Sequence, residues 1–180
     1  LLDKTEPRLR QIGLQGGYIN TPENTYRLYN SQRVSYLCYN IEDKPYCRQR
    51  ILRIKDMEEE LAKVLKEELL TQCLNIQGFR KIGTILKQGE LKLNIFIGED
   101  SVTVKANIPV SISKGEVKAE LNEFSEIIGL PLGRLYNAAR DILNAESENG
   151  DFDSVLYSLG KTQLTNKLYV IQRLQPYPDE

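Results

Sequence analysis

A chain of 180 residues, 41% of them hydrophobic, is long and apolar enough for one domain with a real core, and a net charge of −1 leaves too little positive charge for a nucleic-acid partner. It contains no His, which excludes Ser-His-Asp and Cys-His catalytic engines and His-containing zinc sites, and three cysteines cannot supply four thiolates. No stretch approaches the roughly 18–20 apolar residues of a membrane helix, and Leu1-Leu2-Asp3 reads as a cut or processed start with a segment upstream.

The charge is spread unevenly. Residues 1–55 carry 10 Lys/Arg against 5 Asp/Glu, and residues 56–180 carry 14 against 20. Such asymmetry marks either a basic face for an acidic partner or segments whose charges intermix on folding.

Residues 1–14 predict a short helix with Pro7 in its first turns and Leu9 and Ile12 on one side. Gly16 and Gly17, in Gln15-Gly16-Gly17-Tyr18-Ile19, predict a sharp structural turn that stops it. Gly13-x-x-Gly16-Gly17 does not read as a phosphate loop, because a helix precedes it and none follows.

Residues 18–54 predict loop and strand, with six tyrosines. Cys38 ends a strand-like run and Cys47 follows the turn-rich 40–45, so a hairpin would bring the two thiols within bridging distance. Closing that loop stabilises by roughly 2.5–3 kcal/mol on the chain-entropy model. A bridge places the chain in an oxidising compartment; two buried free thiols would be the cytosolic alternative. Tyr36, Tyr39, Arg48 and Arg50 form the candidate binding set, since Tyr offers a flat face with a polar tip for a glycan or peptide. The alternative is that Tyr fills a thin, loop-rich layer.

Residues 56–76 predict the clearest helix. Asp56 with Glu59 resembles a capping box, and Met57, Leu61, Val64, Leu65, Leu69 and Cys73 make one apolar stripe, with Gly78 as a stop. Cys73 is then a partner for a cysteine outside the chain or a small core residue. The acidic runs Glu58–Glu60 and Glu67-Glu68 read as solvated helix surface, because adjacent helical residues do not face one another.

Residues 82–124 predict an antiparallel meander. Leu91, Leu93, Ile95 and Ile97 alternate with polar residues and Phe96, and Val102, Val104, Ala106, Ile108, Val110 and Ile112 alternate in turn. Turns fall at 98–100 and 113–116, followed by Val117, Ala119 and Leu121. Pro109 cannot donate a ladder bond, so that strand is expected to bulge or run at an edge.

Residues 131–147 predict a second amphipathic helix with Leu132, Leu135, Tyr136, Ala139, Ile142 and Leu143 buried. A short helix over 152–159 is expected to end at Gly160, with 168–171 a last strand and Pro176 and Pro178 in an extended tail. Glu146, Glu148, Asn149, Asp151 and Asp153 could collect a calcium ion, but they are spaced unlike an EF-hand loop, and the simpler account is a helix end followed by an Asp N-cap. No metal site, cofactor or catalytic residue emerges. The fold expected is α+β, one domain of 180 residues: a Tyr- and disulfide-bearing region over 1–55, and a helix–meander–helix core over 56–180 whose meander packs against two amphipathic helices.

The Gln15-Gly16-Gly17-Tyr18-Ile19 motif resembles that of a family of uncharacterised membrane-anchored surface proteins of small-genome archaea. The likeness continues through the Tyr-containing run, the Leu70-x-x-Cys73-Leu74 pattern, the segment 100–104 and the helix over 135–143. It implies a pilin-like hydrophobic anchor before Leu1, an extracytoplasmic domain, and a cysteine just before Leu1 that pairs with Cys73. The expected role is therefore non-enzymatic contact with other surface proteins or copies of the same chain, with a glycan- or peptide-binding module as the alternative. The membrane enters only through the anchor.

Overall fold

The computed structural model describes residues 2–44, 47–73, 85–114, 116–149, 152–165 and 167–171. It is an α+β protein with antiparallel sheets and divides into two compact units, each discontinuous in sequence. One comprises Leu1–Asn20 with Leu52–Tyr136, the other Thr21–Ile51 with Asn137–Glu180.

In the first unit, helix α1 (Leu2–Leu14) buries Leu9 and Ile12. It ends in a Schellman turn: the Gly17 amide donates to the Ile12 carbonyl at 2.8 Å, and Gly16 takes φ 70°. Gly17, at φ 97°, lies so close to Met57 that a Cβ there would stand 3.4 Å from its sulfur.

Helix α2 runs Ile54–Glu68, so it begins before the expected cap at Asp56. Arg53 is the N-cap, and Asp56, three residues on, accepts its backbone amide at 3.3 Å and its guanidinium at 2.7 Å. The cap thus comes from the N3 carboxylate. Its guanidinium partner holds the Asp56 carboxyl below the usual carboxylate range. Met57, Leu61, Leu65 and Leu69 are buried, as the period of 3.6 requires. The helix passes into a π-helical turn, Leu69–Cys73, where the Thr71 hydroxyl donates to the Glu67 and Glu68 carbonyls and competes with the regular ladder. Gly78, the expected stop, lies outside the described residues, as does the side chain of Cys73.

The sheet of this unit is built on β7 (Val102–Lys114). Strand β8 (Val117–Ile128) pairs along one edge; β5 (Ile85–Gln88) and β6 (Lys92–Ile97) follow one another along the other, all antiparallel. The register against β8 slips between Asn107 and Val110, around exposed Pro109, whose carbonyl accepts the Gly89 amide at 2.7 Å. A bulge is how a strand accommodates a residue that cannot donate to its ladder. Before the bulge, Val102, Val104, Ala106 and Ile108 are buried; beyond it Val110 and Ile112 are half-buried and Ala119 is exposed. The core packs Ile95, Ile97, Val102 and Val104 against Met57, Leu61 and Leu65 of α2 and Leu9 and Ile12 of α1.

Of the acidic runs on α2, Glu59 and Glu67 are exposed as the sequence suggests, but Glu58, Glu60 and Glu68 are not free solvated surface. Glu58 accepts the Ile97 amide at 2.7 Å; Glu60 accepts the amides of Ile19 at 3.2 Å and Asn20 at 2.9 Å; Glu68 pairs with Arg8. Glu58 and Glu60 satisfy backbone donors that the end of β6 and α1's exit would otherwise leave open.

Helix α3 (Leu132–Asn149) has its first turn in the first unit and the remainder in the second. The Gly133 amide donates to the Gly98 carbonyl at 3.1 Å, the Arg134 amide to the Glu99 carbonyl at 3.4 Å, and Arg134 pairs with Asp100. This seat turns Leu132 and Gly133 inward and leaves Leu135 outward and 57% exposed, contrary to its expected burial.

Candidate functional site

The second unit carries the residues singled out in the sequence as a binding set. Two short hairpins open it. Strands β1 (Tyr26–Tyr29) and β2 (Gln32–Ser35) are joined by Asn30 and Ser31, both at positive φ (46° and 61°), the two-residue turn whose twist matches that of the strands. Across this hairpin the Arg33 guanidinium lies 4.8 Å from the centre of the Tyr26 ring.

Strands β3 (Cys38–Asn40) and β4 (Cys47–Gln49) form the second hairpin, stapled by the Cys38–Cys47 disulfide with Cα atoms 5.6 Å apart. Cys47 stands opposite Asn40 and Cys38 opposite Gln49, so the bridge runs diagonally on one face. The Gln49 amide donates to Asn144 Oδ1 at 3.0 Å and Ser147 Oγ at 3.1 Å, which ties the stapled hairpin to α3.

Tyr39 and Arg48 are direct cross-strand partners, and both are exposed. Tyr36, also exposed, precedes β3, and its amide donates to the Thr25 carbonyl at 2.8 Å. Arg50 lies just beyond β4, half-buried, with its amide on the Leu37 carbonyl at 2.7 Å. The hairpin thus joins Tyr39 to Arg48, while Tyr36 and Arg50 occupy the flanking backbone.

Helix α4 (Ser154–Thr165) runs through Gly160 instead of ending there; Gly160 does not take the positive φ that a glycine stop uses. Its N-cap is Asp153, whose Oδ1 accepts the amides of Val155 at 3.0 Å and Leu156 at 2.9 Å. That cap occupies the carboxylate that the calcium reading would have used; Asp151 lies outside the described residues. Among the described residues no three His, Cys, Asp or Glu side chains are grouped to hold a metal ion.

The orientation of α4 is the feature that sequence reasoning missed. Its polar side turns inward: the Tyr157 hydroxyl donates to Asp141 Oδ2 at 2.8 Å, and Lys161 Nζ pairs with the same oxygen at 3.0 Å. The Tyr157 ring lies 5.2 Å from that of buried Phe152. Burial, reinforced by the bond to Asp141, pushes the Tyr157 hydroxyl up to about 12. Burial alone would raise Asp141, but the bonds from Lys161 and Tyr157 outweigh it and hold the carboxyl below its ordinary value. Asp141 in turn raises Lys161. The apolar side turns outward: Val155, Leu156, Leu159 and Leu164 are between 58% and 84% exposed, and no residue of α4 is buried.

The segment 168–171, expected as a strand, is irregular. The Tyr169 amide donates to the Thr162 hydroxyl at 3.2 Å instead of to a ladder, and Leu168 and Val170 are exposed. The tail with Pro176 and Pro178 lies outside the described residues.

On the first unit, a groove of about 330 Å³ lies at the bulge, lined by Lys87, Gly89, Pro109, Ser111, Glu120 and Asn122 among others. Among the described residues its charged side chains are Lys87 and Glu120, of opposite sign. Among the described residues no helix is long and apolar enough to cross a membrane. No protein-family model matches the chain, and neither curated proteins nor solved structures give a match.

Proposed function

We propose that this chain is the extracytoplasmic domain of a membrane-anchored surface or pilus-like protein, and that it works without chemistry of its own, by contact with other proteins. The observation that carries this reading is the outward apolar side of α4 in a disulfide-stapled unit. A helix held by its polar side, with four large aliphatic side chains in water, is stable in company and costly alone. The disulfide supports the location, since such bridges persist in oxidising compartments and are rare in a reducing cytosol. The resemblance carried by Gln15-Gly16-Gly17-Tyr18-Ile19 points the same way.

Protease added to intact cells that express the full-length protein tests the placement. Loss of the domain from intact cells is the expected result; protection until the cells are lysed would contradict it.

A second reading draws on the exposed Tyr39–Arg48 pair. It makes the stapled hairpin a peptide- or glycan-binding face, with the ring stacking and the guanidinium bonding to hydroxyl, carbonyl or carboxylate oxygens. Glycan-array binding that Tyr39→Ala removes while leaving self-association intact would favour it.

A further inference from the structure

We infer that the free edge of β8 pairs antiparallel with β8 of a second copy, about a two-fold axis at Asn122, so that one sheet runs through both chains. The inference concerns the first unit and stands apart from the α4 surface that carries the contact reading.

The edge is open. Among the described residues β8 pairs with β7 alone, and Lys118, Asn122 and Phe124 on one of its faces and Ala119, Glu123 and Ser125 on the other are all exposed. An edge strand leaves alternate amides and carbonyls without a ladder partner, and natural edges are commonly kept short or broken by proline or a bulge. β8 runs over Val117–Ile128 with neither proline nor glycine, and the extra residue of the bulge belongs to β7. What guards this edge is charge. Lys118, Glu120, Glu123 and Glu126 stand opposite Ser113, Ser111, Asn107 and Val104 of β7, so none meets an opposite charge directly across its own sheet.

Those charges select the occupant. A two-fold that continues the sheet keeps core face on core face, so each residue meets one an even number of positions away. Two such registers overlap β8 nearly end to end. With the axis at Glu123, residues 118–128 pair; Glu123 faces itself and Glu120 faces Glu126 on both sides of the axis, like charges directly opposed. With the axis at Asn122, residues 117–127 pair. Lys118 then faces Glu126 on both sides, Glu120 faces Phe124, Ala119 faces Ser125, and the two Asn122 amides, each donor and acceptor, face one another. The charges of β8 exclude one register and complete the other, and the complement is β8's own sequence read in reverse. On the order of ten backbone hydrogen bonds close across the edge.

Sedimentation velocity of the full chain, from about 1 to about 500 µM, reads the association directly. The expected result is a sedimentation coefficient that rises with concentration toward a dimer. The Lys118–Glu126 contact occurs twice, so Lys118→Glu or Glu126→Lys alone turns two attractions into two repulsions and should weaken the dimer at least about tenfold. Both changes together restore opposite charges in the same register and should recover it. Glu59→Lys, an exposed charge reversal on α2, should leave it unchanged. Hydrogen exchange on the unaltered chain reads the same contact without any substitution: the amides of β8 that face away from β7 should slow as concentration rises. A monomer at every concentration overturns the inference, as do a dimer that both single reversals leave intact, a double variant no tighter than the singles, and β8 amides whose exchange ignores concentration. A monomer together with protease accessibility on intact cells would remove the self-pairing alone and leave the surface placement standing.

Discussion

Replacing Gly133 with alanine should destabilise the first unit, although alanine is the better helix former. The residue sits in the first turn of α3, where a Cβ would stand 2.4 Å from the Gly98 carbonyl oxygen and 2.8 Å from its carbon. Relieving that contact to an ordinary separation requires a shift of about 1 Å. The Gly98 carbonyl cannot give way cheaply. Its residue closes the β6–β7 turn through the Gly98 amide on the Ser101 carbonyl at 2.9 Å, and Arg134 pairs with Asp100 in the same turn. The helix start must therefore move, which stretches the Gly133–Gly98 hydrogen bond and lifts buried Leu132 from the core. Overpacking costs about 1–3 kcal/mol and the hydrogen bond about 1 kcal/mol, against about 1 kcal/mol returned by helix propensity. The net loss is about 1–3 kcal/mol, a fall of roughly 0.5–2 M in the urea midpoint followed by circular dichroism. Gly13→Ala is the control: it lies in α1 with nothing within 4 Å of a Cβ and should gain up to about 1 kcal/mol. A Gly133→Ala midpoint equal to or above wild type, with Gly13→Ala behaving as expected, would refute this reasoning.

Three further outcomes follow from the same contacts. Glu60→Ala should cost about 1–3 kcal/mol in the same denaturation assay, because two amides at the α1 exit lose their acceptor, whereas Glu59→Ala, exposed on the same helix, should cost under about 0.5 kcal/mol. The attachment of α4 should hold between about pH 4 and pH 10. Below that window the lowered Asp141 carboxyl protonates and its contribution is lost; above it the raised Lys161 and Tyr157 lose theirs, the latter as pH passes about 12. Limited proteolysis at α4 across pH reads this, and Asp141→Asn should remove the acid limb and weaken the alkaline one, where the burial of Tyr157 remains. Cys38→Ser should lower the stability of the second unit by about 2–3 kcal/mol, the closure of a short loop, measured as a midpoint shift against the unreduced protein.

The first unit was largely legible because its signals are periodic and local. Alternation from Leu91 to Ile97 and Val102 to Ile108 marks the buried face of a sheet, and Pro109, which cannot donate to a ladder, marks a bulge or an edge, of which the structure has the bulge. The Cys38–Cys47 pairing was legible because a turn-rich segment between strand-like runs leaves the chain few other ways to go. What escaped depends on groups far apart in sequence. Nothing near Glu58 or Glu60 says that the amides of Ile97, Ile19 and Asn20 lie in reach. The apolar arc of α4 alone predicts a buried side; only Asp141, on another helix, reveals that the polar side is the one held. Leu135 was misassigned for a related reason, its helix being turned by the close approach of Gly133 to Gly98. In the candidate site, the Tyr39–Arg48 partnership is a matter of register, which the sequence does not print.

The placement of the domain is tested most directly by counting alkylatable thiols on this chain, isolated from its own cells and denatured without reductant. With positions 38 and 47 joined, at most Cys73 reacts. All three cysteines reacting would mean that the bridge does not form where the protein lives, and the account of an externally displayed, stapled contact domain would fall.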